Sequence, residues 1–186
     1  MKIHIHIVTL FLFLLCGSIT TYAATITSNA TGNWNVGGTW VGTDSIPGDP
    51  GGITVYTVQN MSFGAFSIGS TGGSVIISTD GTRSVTGDLV PLNLGTLYFQ
   101  SIFDIEGPQG SIVSVLNGPD ATLTGSNGGT MSMHIGNSAP SSPFIITVSQ
   151  PARAQLNIGG TLTVGSAIAN PPGSYTGTFY ITFNLE

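Results

Sequence analysis

The sequence predicts an all-β chain folded as an antiparallel β-sandwich, and three observations carry that prediction. Of 186 residues only eight are Asp or Glu and three are Lys or Arg, while glycine alone contributes 27. The charged residues from which soluble helices are usually built are therefore scarce. The remainder is rich in Thr, Ser, Val, Ile and Leu punctuated by Gly and Asn, the composition of short strands joined by tight turns. No segment sustains a helical period, whereas apolar–polar alternation recurs along the chain.

The first element is a leader. Met1 and Lys2 give a short basic start, IVTLFLFLLC (7–16) is apolar apart from Thr9, and Thr21-Tyr22-Ala23 follows with a small residue last. This is the pattern of a signal peptide over residues 1–23, cleaved after Ala23. Its apolar run is too short to remain as a membrane span. Leu15 is bulky where lipoprotein signals carry a small residue before the cysteine, so Cys16 is not expected to be lipidated. The expected destination is extracellular or the cell surface, with no membrane contact once the leader is gone.

Residues 24–41, ATITSNATGNWNVGGTWV, form the second element. Even positions read Ile26, Ser28, Ala30, Gly32, Trp34, Val36, Gly38 and Trp40, while the odd positions from 25 to 39 carry no large apolar group. A period of two held this long predicts a one-faced strand, an N-terminal β arm. GTDSIPGDPGG (42–52) comes next, a Pro/Gly linker that no central strand could traverse.

The domain proper is expected over 53–186. Alternating or apolar runs predict strands at 53–58, 62–68, 73–78, 97–105, 111–116, 121–125, 130–135 and 144–149, with Asp80-Gly81 as a hairpin turn. Two final strands are the clearest. In AQLNIGGTLTVG (154–165), Leu156, Ile158, Leu162 and Val164 share a face with Gly160; in GSYTGTFYITFNLE (173–186), Tyr175, Phe179, Ile181, Phe183 and Leu185 share one with Gly177. Pro171-Pro172-Gly173 forces a turn between them, so the pair is expected to form a hairpin lining the core. Many short strands with Gly-rich turns at this size fit an Ig-like sandwich.

From about Met61 to Glu186 the chain resembles the bacterial family named domain of unknown function 4402. The resemblance lies in TDGTRSVTG (79–87), TLTGSNGGTMSM (122–133) and above all LNIGGTLTVGSAIANPPGSYTGTFYITFNL (156–185), where strand, Gly-Gly step, turn and terminal strand follow in one order. It implies a secreted pilin-like or spore-coat-like β-sandwich of bacterial surfaces, and no established activity. The terminal strand is similar to the C-terminal motif of chaperone–usher pilins, departing from it in Leu185, where they carry a penultimate Tyr, and in lacking their disulfide. TGNWNVGGTWVG (31–42) also looks like the opening of secreted Bacteroidetes surface proteins.

Little in the chain suggests chemistry. Beyond the leader there is no cysteine and one histidine, His134, which excludes thiolate nucleophiles and thiolate metal sites and leaves a residue read as structural or exposed. Asp104 and Glu106 would share a face if their strand reached Glu106, and are read as a solvated strand end rather than a glycosidase pair. Asp44 and Asp49 are read as turn residues, without the carboxylate density of a calcium loop. Two arginines against eight carboxylates do not attract nucleic acid or anionic lipid. No enzyme activity, cofactor or metal is expected.

The expected function is that of a structural subunit. A terminal strand on a Pro/Gly tether can complete a neighbour's sheet, and small residues at Ser28, Gly32 and Gly38 let a guest strand settle against bulky groove residues. The interface residues of such a donor arm are Ile26, Ala30, Gly32, Trp34, Val36 and Trp40; the core side of the terminal strand is Tyr175, Phe179, Ile181, Phe183 and Leu185. The expected partners are copies of the chain itself in a head-to-tail filament. The alternative is a monomeric secreted adhesin that binds surface glycans through its loops or its tryptophans. A simpler reading of residues 24–41 is a first strand of their own sandwich.

Overall fold

The computed structural model describes residues 23–30, for which only the backbone is considered, and 52–186. Every regular element among them is a strand. In chain order these are β1 (Ala23–Ala30), β2 (Thr54–Gln59), β3 (Ser62–Phe63), β4 (Ala65–Ile77), β5 (Arg83–Leu92), β6 (Tyr98–Phe99) and β7 (Ser101–Glu106). They continue with β8 (Ile112–Asn117), β9 (Ala121–Gly125), β10 (Thr130–Ala139), β11 (Phe144–Ile145), β12 (Ala154–Val164) and β13 (Tyr175–Leu185). All pairings are antiparallel, and together they make a β-sandwich.

One layer runs β1-β13-β8-β11. The other is built around β12, with β10 and then β9 on one edge. On its opposite edge β4 and β7 lie end to end, Val164–Gly160 pairing with β4 and Ile158–Ala154 with β7. Outside these lie β5 beside β4 and β2 beside β7. Strand alternation explains why both layers face a common core: Leu156, Ile158, Leu162 and Val164 of β12 are buried, as are Phe179, Ile181 and Phe183 of β13. Val75, Ile77, Phe103 and Ile105 complete the centre.

β12 and β13 do not form the expected hairpin. Their connection, residues 165–174, carries the chain from one layer to the other, so the two strands face each other across the core rather than pairing. Alternation reports which face is buried and is silent about which edge is paired. β13 itself links the layers: Tyr175 and Thr176 pair with Gly125 and Thr124 of β9, and Ile181–Leu185 pair with β8. Gly177 sits at this crossing, where a Cβ would meet the Thr122 carbonyl oxygen at 2.5 Å. No side chain fits there without moving backbone.

The stretches expected as strands at 62–68 and 73–78 belong largely to a single strand, β4, which shifts register between Ile68 and Gly73. It returns as β5 through the turn at Asp80-Gly81, where Gly81 adopts φ +83°. Asp80 Oδ1 accepts hydrogen bonds from the Thr82 N–H (2.9 Å) and the Thr82 hydroxyl (2.7 Å). The expected strand at 144–149 is regular only as β11.

Candidate functional site

The candidate site is the outer edge of β13 and the groove beside it. The inward face of β13 is fixed by large apolar groups at alternate positions: Phe179, Ile181 and Phe183 are each 2 % exposed or less. Tyr175 and Leu185, at the two ends, are half-buried and pack against the same core. Tyr175 is held in place by its hydroxyl, which donates to the Pro171 carbonyl at 2.8 Å and lies 3.3 Å from that of Gly128.

One edge of β13 is taken by β9 and β8, and β1 lies along the other. The β1 ladder is antiparallel and eight residues long, from Ala23 opposite Asn184 to Ala30 opposite Gly177. Within it Ile26 is the partner of Ile181, Ser28 of Phe179 and Ala30 of Gly177, so even-numbered positions of the arm face the inward set of β13 in register. Among the described elements, β13 is the chief neighbour of β1. Of the other arm residues named from the sequence, Gly32, Trp34, Val36 and Trp40 lie outside the described residues. So do residues 42–51 of the linker and residues 1–22 of the leader.

Where the β1 ladder ends, the two layers part around a groove of about 620 Å³. Its floor is the inner face of the second layer, with Leu123, Met131, Met133 and Leu162. Phe66 and Ile68 of β4 and the exposed Leu94 stand at its rim, and Gly177 and Phe179 of β13 close the side nearest the arm. Among the described lining residues none is charged, so the groove suits an apolar guest. Sequence reading did not find it, because its described residues come from six separated stretches and show no motif. The available signal was Met131 and Met133 alternating on one strand, since methionine adapts to irregular surfaces.

Elsewhere both arginines among the described residues are engaged in structural contacts. Arg83 lies 4.3 Å over the Tyr98 ring and donates to the Phe63 and Ala65 carbonyls, both at 3.2 Å, tying β5 to the small β3–β6 pair. Arg153 lies 3.7 Å over the Tyr56 ring while its Nε donates to Glu106 at 3.3 Å. β7 does reach Glu106, which places it and Asp104 at alternate positions of one strand. Glu106 is not a free solvated end, since it also accepts from the Tyr56 hydroxyl at 3.4 Å. His134 is exposed, with Nδ1 2.8 Å from Asp120 Oδ1. Among the described residues no three His, Cys, Asp or Glu side chains gather as a metal site.

Comparison with known proteins finds no match among curated proteins and none among solved structures. A family model does match, over residues 53–184, which covers the sandwich from the approach to β2 almost to the end of β13. The chain belongs to the family described as domain of unknown function (DUF4402).

Proposed function

We propose that this protein is a secreted structural subunit of an extracellular, pilus-like fibre, assembled when each chain donates its N-terminal strand to the β13 edge of the next. The observation that carries this reading is the β1–β13 ladder. β1 lies N-terminal to the stretch that defines the family, separated from it by the Pro/Gly-rich 42–52 segment, and its ladder runs along a single strand. An identical strand from a neighbour has the same backbone groups to offer that edge, so the register of the cis ladder supports this reading of a contact in trans. Without a strand there, β13 would be an exposed edge over a strongly apolar face, which folded proteins avoid.

Head-to-tail donation does not close on itself, so it produces a linear polymer rather than a ring of fixed size. Such a subunit needs no catalytic group, and its sparsely charged, hydroxyl-rich surface suits packing along a fibre. The test is the oligomeric state of the purified protein by size exclusion and negative stain. Linear multimers that shorten when excess peptide spanning residues 24–41 is present during refolding support donation. A protein that stays monomeric at high concentration refutes it and favours the monomeric adhesin.

A further inference from the structure

We propose that the turn at residues 166–170 is a self-association knob: its tip, Ala167-Ile168-Ala169, enters the groove of a second copy, whose own tip enters the first. This contact goes beyond the strand-donation reading and does not depend on it. Ile168 is 94 % exposed, the most of any described large apolar side chain; Leu94, on the groove's rim, follows at 71 %. A pliant loop would fold such a side chain away from water, but this turn is braced at both ends. The Asn170 N–H donates to the Ser166 carbonyl at 2.9 Å, and the Ala167 N–H to the Gly69 carbonyl of β4 at 3.2 Å. The Asn170 side chain, 1 % exposed, accepts from the Gly165 N–H at 2.6 Å and donates to the Thr130 carbonyl at 2.8 Å. The tip is therefore held outward before any partner arrives, and little ordering opposes its binding.

The chain carries both halves of this contact side by side. Ala167, at the foot of the tip, and Asn170 to Ser174, just after it, line the groove, so the knob stands on the rim of a hole. A two-fold axis between two such mouths sets each knob over the other copy's groove, and a contact made this way closes on itself. Chemistry selects the same partner. The tip holds no polar side chain, and no described lining residue of the groove is charged. Along the floor, Leu123, Met131, Met133 and Leu162 offer aliphatic and thioether surface that adapts to a β-branched guest. Alanines on both sides of Ile168 keep the tip narrow enough to enter. With a formal net charge of −5, copies of the chain repel one another over most of their surface, so an uncharged face is where they meet at least cost.

Sedimentation velocity of the purified protein over a concentration series tests this, comparing the parent with Ile168→Asp. Since Ile168 is exposed, its replacement should leave the thermal melt unchanged. The parent is expected to show a two-copy step that Ile168→Asp weakens by about a hundredfold or more, because a carboxylate would enter each uncharged groove. Where filaments form, negative stain should show them paired in the parent and single in the variant. Where none form, the two-copy step remains, so donation can fail without this contact failing. Anilinonaphthalene sulfonate should bind the dissociated variant more than the paired parent, whose grooves are filled. An Ile168→Asp variant that associates as the parent does overturns the contact. So does dye binding equal in the two, which shows the grooves open or filled from within the chain. A parent that stays single at high concentration and forms no filaments overturns both readings; filaments that run single in the parent overturn this one alone.

Discussion

Phe183 and Phe103 meet edge to face across the sandwich, with ring centroids 5.6 Å apart and planes inclined by 63°. Phe183 belongs to β13 and Phe103 to β7, so this contact fastens one layer to the other at the centre of the core. Both rings are buried. Edge-to-face pairs contribute about 0.5–1.5 kcal/mol beyond the area they bury. With no cysteine among the described residues, packing of this kind and the strand ladders hold the layers together.

Phe183→Ala should therefore destabilise the protein by roughly 3–5 kcal/mol, the usual cost of an aromatic truncation in a close-packed core. Phe183→Leu should cost less, because it keeps most of the volume and loses chiefly the ring contact. Urea unfolding of the two variants against the parent measures both. A midpoint for Phe183→Ala equal to that of the parent would show that the layers do not close on this ring.

Gly177→Ala should be more harmful than Gly160→Ala, although both glycines interrupt strands that otherwise alternate cleanly. At Gly177 an added methyl meets the Thr122 carbonyl oxygen at 2.5 Å and the Leu123 Cα at 3.1 Å, which are backbone atoms of a paired strand. At Gly160 its closest neighbour is the Met61 thioether at 2.6 Å, the movable end of a flexible side chain. Overpacking against backbone is expected to cost about 1–3 kcal/mol, with a smaller loss at Gly160. Thermal melts of the two variants decide the order.

Which faces are buried was legible in the sequence, and which edges are paired was not. Period two identified the inward sets of β12 and β13 because burial selects side chains at alternate positions. It could not reveal that these strands lie in opposite layers. β5 went unread because RSVTGDLVPL contains Gly87, Asp88 and Pro91, residues that weaken a strand signal yet are tolerated on a sheet edge, which is where β5 lies. The even positions of the arm were legible as one face, and the register sets Ile26, Ser28 and Ala30 against the inward positions of β13. The groove was illegible for the opposite reason: it is made by the spatial meeting of segments far apart in the chain.

The turn at Asp80 gives a pH-dependent contribution of known sign. The hydrogen bond from the Thr82 hydroxyl, followed by that from the Thr82 backbone, holds the Asp80 carboxyl below its ordinary value of 3.8. A carboxyl depressed in the folded state adds stability that is fully present above its unfolded value and lost as pH falls through the folded one. Asp80→Asn should therefore reduce stability slightly at neutral pH and converge with the parent in strong acid, the effect being small because the group is exposed. Titration of the Asp80 carboxyl carbon by NMR should give a midpoint below 3.8. A midpoint at or above that value would show that the turn does not hold the ionised form.

A subunit that accepts but cannot donate should act as a chain terminator. In a strand, successive N–H groups point to opposite edges, so replacing two adjacent residues by proline removes one ladder donor whichever edge faces β13. Thr27→Pro with Ser28→Pro therefore breaks the β1 ladder at its middle, where these residues oppose Tyr180 and Phe179, while leaving the β13 edge unchanged. Under donation, such a subunit refolded with an excess of the parent occupies a filament end, since its β13 edge accepts a strand and its own arm extends nothing. Mean filament length in negative stain should fall as the variant fraction rises, while the variant alone stays short or aggregates. If β1 serves only its own chain, the variant is merely unstable and the parent's size distribution is untouched by mixing. Donation thus predicts that a minority of defective arms governs the length of the whole population, and self-pairing predicts that each chain suffers only its own defect.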